Sequence, residues 1–279
     1  MKSEEMHTQV SQAVRWLDGL TGISLAGAAV CLTLVFLDPR EITGAPAWLK
    51  PLKFFVSSAI YSFSLRWVIP SMRAQKLGLR MVQVTVWGLF YELVAISAQA
   101  ARGVRSHFNF STPFDSFVFI SMGTVIMVVW AAGVVIAWQI LRNPDISRAR
   151  RVALTWGMGL FLVGALGGQQ MGTPKPDQLA ALQAGERVVE IGGHAVGAAD
   201  GGTGILGVGW SRTGGDLRVA HFFGIHGLQG MLLALLLLTW AQWSESRKVL
   251  VLHGAGVTWL SVWVFLFFQA ISGRSVYPL

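Results

Sequence analysis

The chain has little charge and almost no cysteine. Only 13% of its 279 residues are Asp, Glu, Lys or Arg, about half the share of an ordinary soluble domain. With 53% hydrophobic residues, it falls outside both the ordinary soluble and the disordered classes. The single cysteine, Cys31, allows no internal disulfide and no cysteine-rich metal site. It lies in an apolar run and reads as a small buried hydrophobe. There is no CxxCH, HExxH or Walker A motif. The glycine-rich string "GGTGILG" at 201–207 follows no predicted strand, so it is not a nucleotide loop. The last apolar segment has no interior lysine, which excludes a retinal Schiff base.

Long hydrophobic runs are what the chain does have. Mean hydropathy is +0.54, and the sequence holds 12 Trp, 16 Phe and 32 Gly, residues suited to bilayer helices. A spanning helix needs about 20 apolar residues. Seven segments meet or approach that length: 14–37, 52–70, 81–101, 114–141, 152–168, 219–240 and 249–271. They are continuously apolar rather than alternating, which excludes a β-barrel. The expected fold is a single all-α, polytopic transmembrane bundle of seven helices. The charged start "MKSEEMHTQVSQAVR" leads into the first run with no convincing cleavage site, so that run is expected to be retained.

Orientation follows from Lys and Arg. The connections 1–15, 71–80, 142–151 and 242–249 carry eleven basic residues against four acids. The opposite connections carry ten, spread over twice the length and largely offset by acids. The positive-inside rule then predicts a cytoplasmic N-terminus and an outer C-terminus. The net charge of +8 is thus a topology signal, and no nucleic-acid partner is expected. One outer connection, 169–218, is about fifty residues long. Its "PDQLAALQAGERVVE" predicts a short amphipathic helix on the membrane. The glycine-rich remainder predicts a folded cover, with Leu206 and Trp210 as its apolar anchors.

Polar groups gather toward the outer half. Glu92 lies near mid-membrane, where a carboxylate costs several kcal/mol unless paired or protonated; the expectation is a metal ligand, proton carrier or general base. Gln99, seven residues on, shares its face. Arg102, Arg105 and His107 follow, then Asp115 at the start of helix four. Helix six opens with Asp216, Arg218 and His221 and continues to His226 and Gln229. Lys50 and Lys53 stand at the same level, with His194 and Asp200 in the glycine-rich loop. His221 and His226 are about 140° apart around an undistorted helix, so they cannot both face one small ion unless Gly224 or Gly227 lets the helix bend.

Zinc would need Glu92, His107 and His221 or His226 to converge. Haem would need paired axial histidines, such as His107 with His221 or His194. Both require geometry that no local spacing enforces. The glycines at 224, 227 and 230 form a smooth stripe; contact with helix three would set His226 against Glu92 or Gln99.

The stretches "KPLKF", "QAARGVRSHFN" and "GGDLRVAHFFGIHGLQ" resemble a family of uncharacterised bacterial seven-span membrane proteins. The resemblance implies the bacterial inner membrane and carries no activity. The seven-span ceramidase-like hydrolases are similar in span count and histidine use, but they carry HxxxH on the last helix, whereas this chain has HxxxxH on the sixth.

The expected function is a metal- or haem-dependent membrane protein with an outward site, hydrolytic or transferase-like with zinc and redox with haem. Glu92 and His226 are the expected catalytic groups. Glu92, His107, His221 and His226 are the expected metal ligands. Lys53, Gln99, Arg102, Arg105, Arg218 and Gln229 are expected to hold a lipid or other anionic substrate. A proton-coupled carrier using Glu92 and a sensory module closed by the outer loop are the alternatives. Oligomeric state is open.

Overall fold

The computed structural model describes residues 2–278, with residues 2, 3 and 6 as backbone alone; the first residue of the N-terminal connection and the last of the tail lie outside the described residues. Among these, nine α-helices form: α1 (Lys2–Leu37), α2 (Leu49–Val68), α3 (Gln75–Ala101), α4 (Pro113–Leu141), α5 (Arg148–Gly168), α6 (Pro176–Gln183), α7 (Leu217–Ile225), α8 (Gly227–Trp240) and α9 (Glu245–Ile271). Two antiparallel pairs of two-residue strands, 41–42 with 45–46 and 195–196 with 215–216, decorate the connections.

The helix starts follow local chemistry. Thr112, Ser147 and Ser244 each accept a backbone N–H three residues on, and Pro113 fills the first position of α4. Asp216 accepts from the Arg218 N–H and opens α7.

This is an all-α, multi-pass membrane bundle. Six helical segments are long and apolar enough to cross a bilayer: α1, α3, α4, α5, α7 with α8, and α9. α2 is 20 residues long, carries Lys50, Lys53 and Arg66, and is not among them. Large apolar side chains such as Trp67, Trp87, Phe117, Trp138 and Phe265 are exposed, which suits contact with lipid rather than water. Cys31 is buried, as expected.

α1 packs on α2 and α3, α3 on α4, and α4 on α5; α5 in turn holds α7, α8 and α9. A common apolar core fills the interior, with Tyr61, Leu65, Leu93, Ile136, Met158 and Leu228 among its members. Tyr61 stacks on Phe161 at 4.4 Å.

The glycine stripe does not meet α3. A side chain at Gly224 would strike the backbone of Gly164 on α5, one at Gly227 would strike Leu160, and one at Gly230 would strike Trp259 on α9. Small residues on both partners let α7 and α5 approach backbone to backbone, and that contact draws the stripe away from α3. The His221 Nδ1 hydrogen-bonds the Gly164 carbonyl at 2.9 Å. The Trp259 indole donates to the Phe223 carbonyl at 2.9 Å. The spanning segment formed by α7 and α8 breaks at His226, where α7 ends and α8 begins.

Gly224→Val should lower thermal stability in detergent by about 1–3 kcal/mol or prevent folding. Gly159→Ala, where an added methyl meets nothing within 4 Å, should be close to neutral. Equal melting temperatures for Gly224→Val and wild type would show that the α5–α7 approach is not close.

Candidate functional site: a cationic cluster under a glycine-rich cap

The segment 169–218 is folded. α6 forms at the start of the stretch expected to be helical, and Leu179 and Leu182 on it are exposed. The Gln178 carboxamide accepts from the N–H groups of Lys175 and Gly192 and donates to the Gly192 carbonyl. Backbone bonds from Phe110 to Val189 and from Ile191 to Phe108 lace the segment to the turn after α3. Residues 203–212 then close a hairpin through Ile205 to Trp210 and Arg212 to Thr203. Gly207 and Gly209 supply its positive φ values of 81° and 69°, which side chains beyond Cα disfavour. Trp210 packs on Phe222 at 5.6 Å. Leu206, expected as a second anchor, is instead 99% exposed because it rides the hairpin tip.

Cations fasten this cap. The Lys53 ammonium donates to the Val208 carbonyl at 2.9 Å. The Arg218 guanidinium donates to the Gly209 carbonyl and pairs with Asp216 at 2.6 Å. Arg105 pairs with Glu190. Asp200 accepts from the N–H groups of His194 and Ala195 and lies 3.4 Å from the His194 ring and 3.6 Å from Lys175.

Lys50 is different. It is half-buried, stands in the electrostatic range of Lys53, Arg105, Arg218 and Asp200, and forms no hydrogen bond or ion pair among the described residues. Lys50 and Lys53 lie three residues apart at the N-terminal end of α2, where the helix dipole is positive. Every acid nearby already has a basic partner, so positive charge is in surplus.

Two histidines border this cluster. His107 is set among Phe54, Phe108 and Phe119, with ring centroids 5.7–6.0 Å away. Burial, then the charges of Lys50 and His194, hold its pKa well below the ordinary 6.5. Burial also lowers His194, against a counter-pull from Asp200. Burial opposes ionisation of Asp200, yet hydrogen bonds from His194 and from backbone N–H groups hold its carboxyl far below the usual carboxylate range.

The other expected site residues lie elsewhere. Gln99 donates to Asp115 at 2.9 Å, and Arg102 contacts both Gln99 and Asp115 at 2.7 Å from the latter. Thr112 completes that closed network, which joins α3 to α4. Gln229 donates to Ser64 of α2 at 2.8 Å and stands beside the His226 ring. The His226 ring leans on Phe222 at 4.3 Å. Glu92 is 5% exposed, and its Oε1 has no hydrogen-bond partner. α3 packs chiefly on α1 and α4, while α7 and α8 pack chiefly on α5 and α9; the apolar core, with Leu93 from α3 and Leu228 from α8, links the two groups.

Glu92, His107, His221 and His226 are therefore not brought together as a zinc set. Among the described residues, no group of three or more His, Cys, Asp or Glu is placed to hold a metal ion. The His221 Nδ1 is bonded to the Gly164 carbonyl, and Phe108 abuts the rings of both His107 and His194 edge-on, at 6.0 and 5.0 Å. Lys50 and Asp200 are the residues whose weight emerges only in three dimensions; their sequence signal was a shared membrane level. No family profile matches the chain, and neither a curated protein nor a solved structure matches it.

His107 and His194 bind fewer protons folded than unfolded, so their contribution is lost as pH falls below 6.5. Asp200, depressed in the folded state, stabilises above the ordinary carboxylate range and adds no slope near neutrality. The melting temperature should fall between pH 7.5 and 5, and His107→Phe should flatten that fall. Parallel pH profiles for the two proteins would count against the buried, neutral imidazole.

Proposed function

We propose that this chain is a seven-span protein of the bacterial inner membrane, N-terminus cytoplasmic, whose outer end binds a phosphate- or carboxylate-bearing ligand beneath the glycine-rich cap. The observation that carries the reading is the half-buried Lys50, which forms no ion pair among the described residues and feels the cations Arg218, Arg105 and Lys53 against the single carboxylate of Asp200. Burial, then the charge of Arg218, pulls the Lys50 pKa down to about 7; a negative group that joined it would restore the charged form. The α2 N-terminus adds favourable N–H groups and dipole. The seven-span, N-in topology rests on the basic connections and on the length of α2. The inner-membrane assignment rests on the family resemblance of "KPLKF" and its companion stretches.

Chemically, Lys50 supplies a point charge and Lys53 anchors the cap above it. His107 presents a neutral imidazole at the edge of the cluster. This arrangement binds and orients an anion. A proton-coupled carrier is a second reading, favoured by the unpartnered Glu92 carboxyl.

Ligand-dependent melting in detergent tests both. At a hundred times its Kd, a ligand should stabilise the protein by about 2.7 kcal/mol. Orthophosphate and a short-chain phosphatidylglycerol form the two arms: a shift with both marks a free anion site, and a shift with the lipid alone marks a headgroup site. Lys50→Met should abolish the shift, while Glu92→Gln should keep it. An unchanged shift in Lys50→Met would overturn the site. Loss of the shift in Glu92→Gln would favour the carrier.

A further inference from the structure

At the opposite, basic end of the bundle, α1 and α3 leave a cleft of about 600 Å³. Its back is closed, because Ala13, Leu17 and Leu20 of α1 pack in one core with Val82 and Val86 of α3. The walls are apolar and partly exposed: Trp16 and Ile23 on one side, Trp87 and Phe90 on the other. The two indoles meet at 5.9 Å with their planes tilted by 59°. Gly19 forms part of the floor, and a Cβ added there would meet nothing within 4 Å. The lining turns polar only at the mouth, where Gln12, Arg15 and Gln83 stand. Arg15 is exposed and forms no ion pair among the described residues. Arg80, one turn before Gln83, is exposed on the same end of α3.

From Gln12 to Ile23 the cleft runs about 16 Å along the helix. It is a long, dry slot with a cation at one end. In a bilayer such a slot gains nothing from apolarity alone, since lipid tails are as apolar as its walls. What it offers beyond bulk lipid is charge at the mouth and a fixed shape behind it. We propose that the α1–α3 cleft holds one acyl chain of an anionic phospholipid, whose phosphate meets Arg15 and the side-chain amides of Gln12 and Gln83. The charge complementarity of Arg15 selects the headgroup, and the open floor at Gly19 admits the chain. This site is separate from the capped cluster and does not depend on it.

The test uses the full chain, delipidated in detergent and titrated separately with phosphatidylglycerol and phosphatidylcholine by native mass spectrometry. One basic residue at a membrane surface supports about a fivefold preference, so the first phosphatidylglycerol should bind about fivefold more tightly. In a Lys50→Met background, which removes the capped anion site, Arg15→Gln should equalise the two lipids. Gly19→Leu should weaken both by filling the floor, with circular dichroism and melting temperature confirming the fold. Lys50→Met should leave the preference intact. Equal binding of the two lipids to wild type, or a Lys50→Met, Arg15→Gln double variant that keeps the preference, would overturn the site. Unchanged binding in a folded Gly19→Leu variant would equally place the chain elsewhere.

Discussion

Positive charge without a counter-ion is expensive where water is scarce, and the capped end of this bundle depends on how that charge is handled. Arg105, Arg218 and Lys175 each meet an acid. Lys53 meets a carbonyl. These contacts do structural work, because they tie a glycine-rich segment to the ends of α2, α3 and α7. Lys50 is left over, facing the same cluster from the same helix turn. The cap therefore carries two roles at once: its backbone oxygens neutralise part of the cationic excess, and its fold limits water around the remainder.

The polar residues of the membrane interior play a different part. Gln99, Arg102, Asp115 and Thr112 satisfy one another in a closed network. His221 and Gly164 join α7 to α5, and Gln229 and Ser64 join α8 to α2. Each is a hydrogen bond between helices of the kind that specifies a membrane bundle when apolar burial cannot. Glu92 is buried with an oxygen left over. Glu92 lies on α3, which packs chiefly on α1 and α4, whereas His226 joins α7 to α8, which pack chiefly on α5 and α9.

The architecture was legible because the bilayer imposes it. Runs of about 20 apolar residues become helices whatever their neighbours do, and six of the seven expected spans meet the criteria outright. The exception, α2, holds Lys50, Lys53 and Arg66, so its composition blurs what its length declares. The folded cap and the short helix within it were legible from glycine punctuation and amphipathic pattern. Helix adjacency was not. The stripe at 224, 227 and 230 signalled a close partner, but small residues say only that a backbone approaches, not which one; the matching glycines of α5 were equally visible and equally silent. The capped cluster was half legible: a shared level for Lys50, Lys53, Arg105 and Arg218 follows from span boundaries, whereas which cation lacks a partner depends on contacts 100 or more residues apart, as in Lys53 with Val208.

The most direct test of the capped site is an experimental density map of the protein in nanodiscs prepared in phosphate buffer. Non-protein density within hydrogen-bond reach of the Lys50 ammonium, below the 203–212 hairpin, is the predicted result. A map in which the hairpin packs directly onto Lys50, or in which a protein carboxylate pairs with it, would contradict the account.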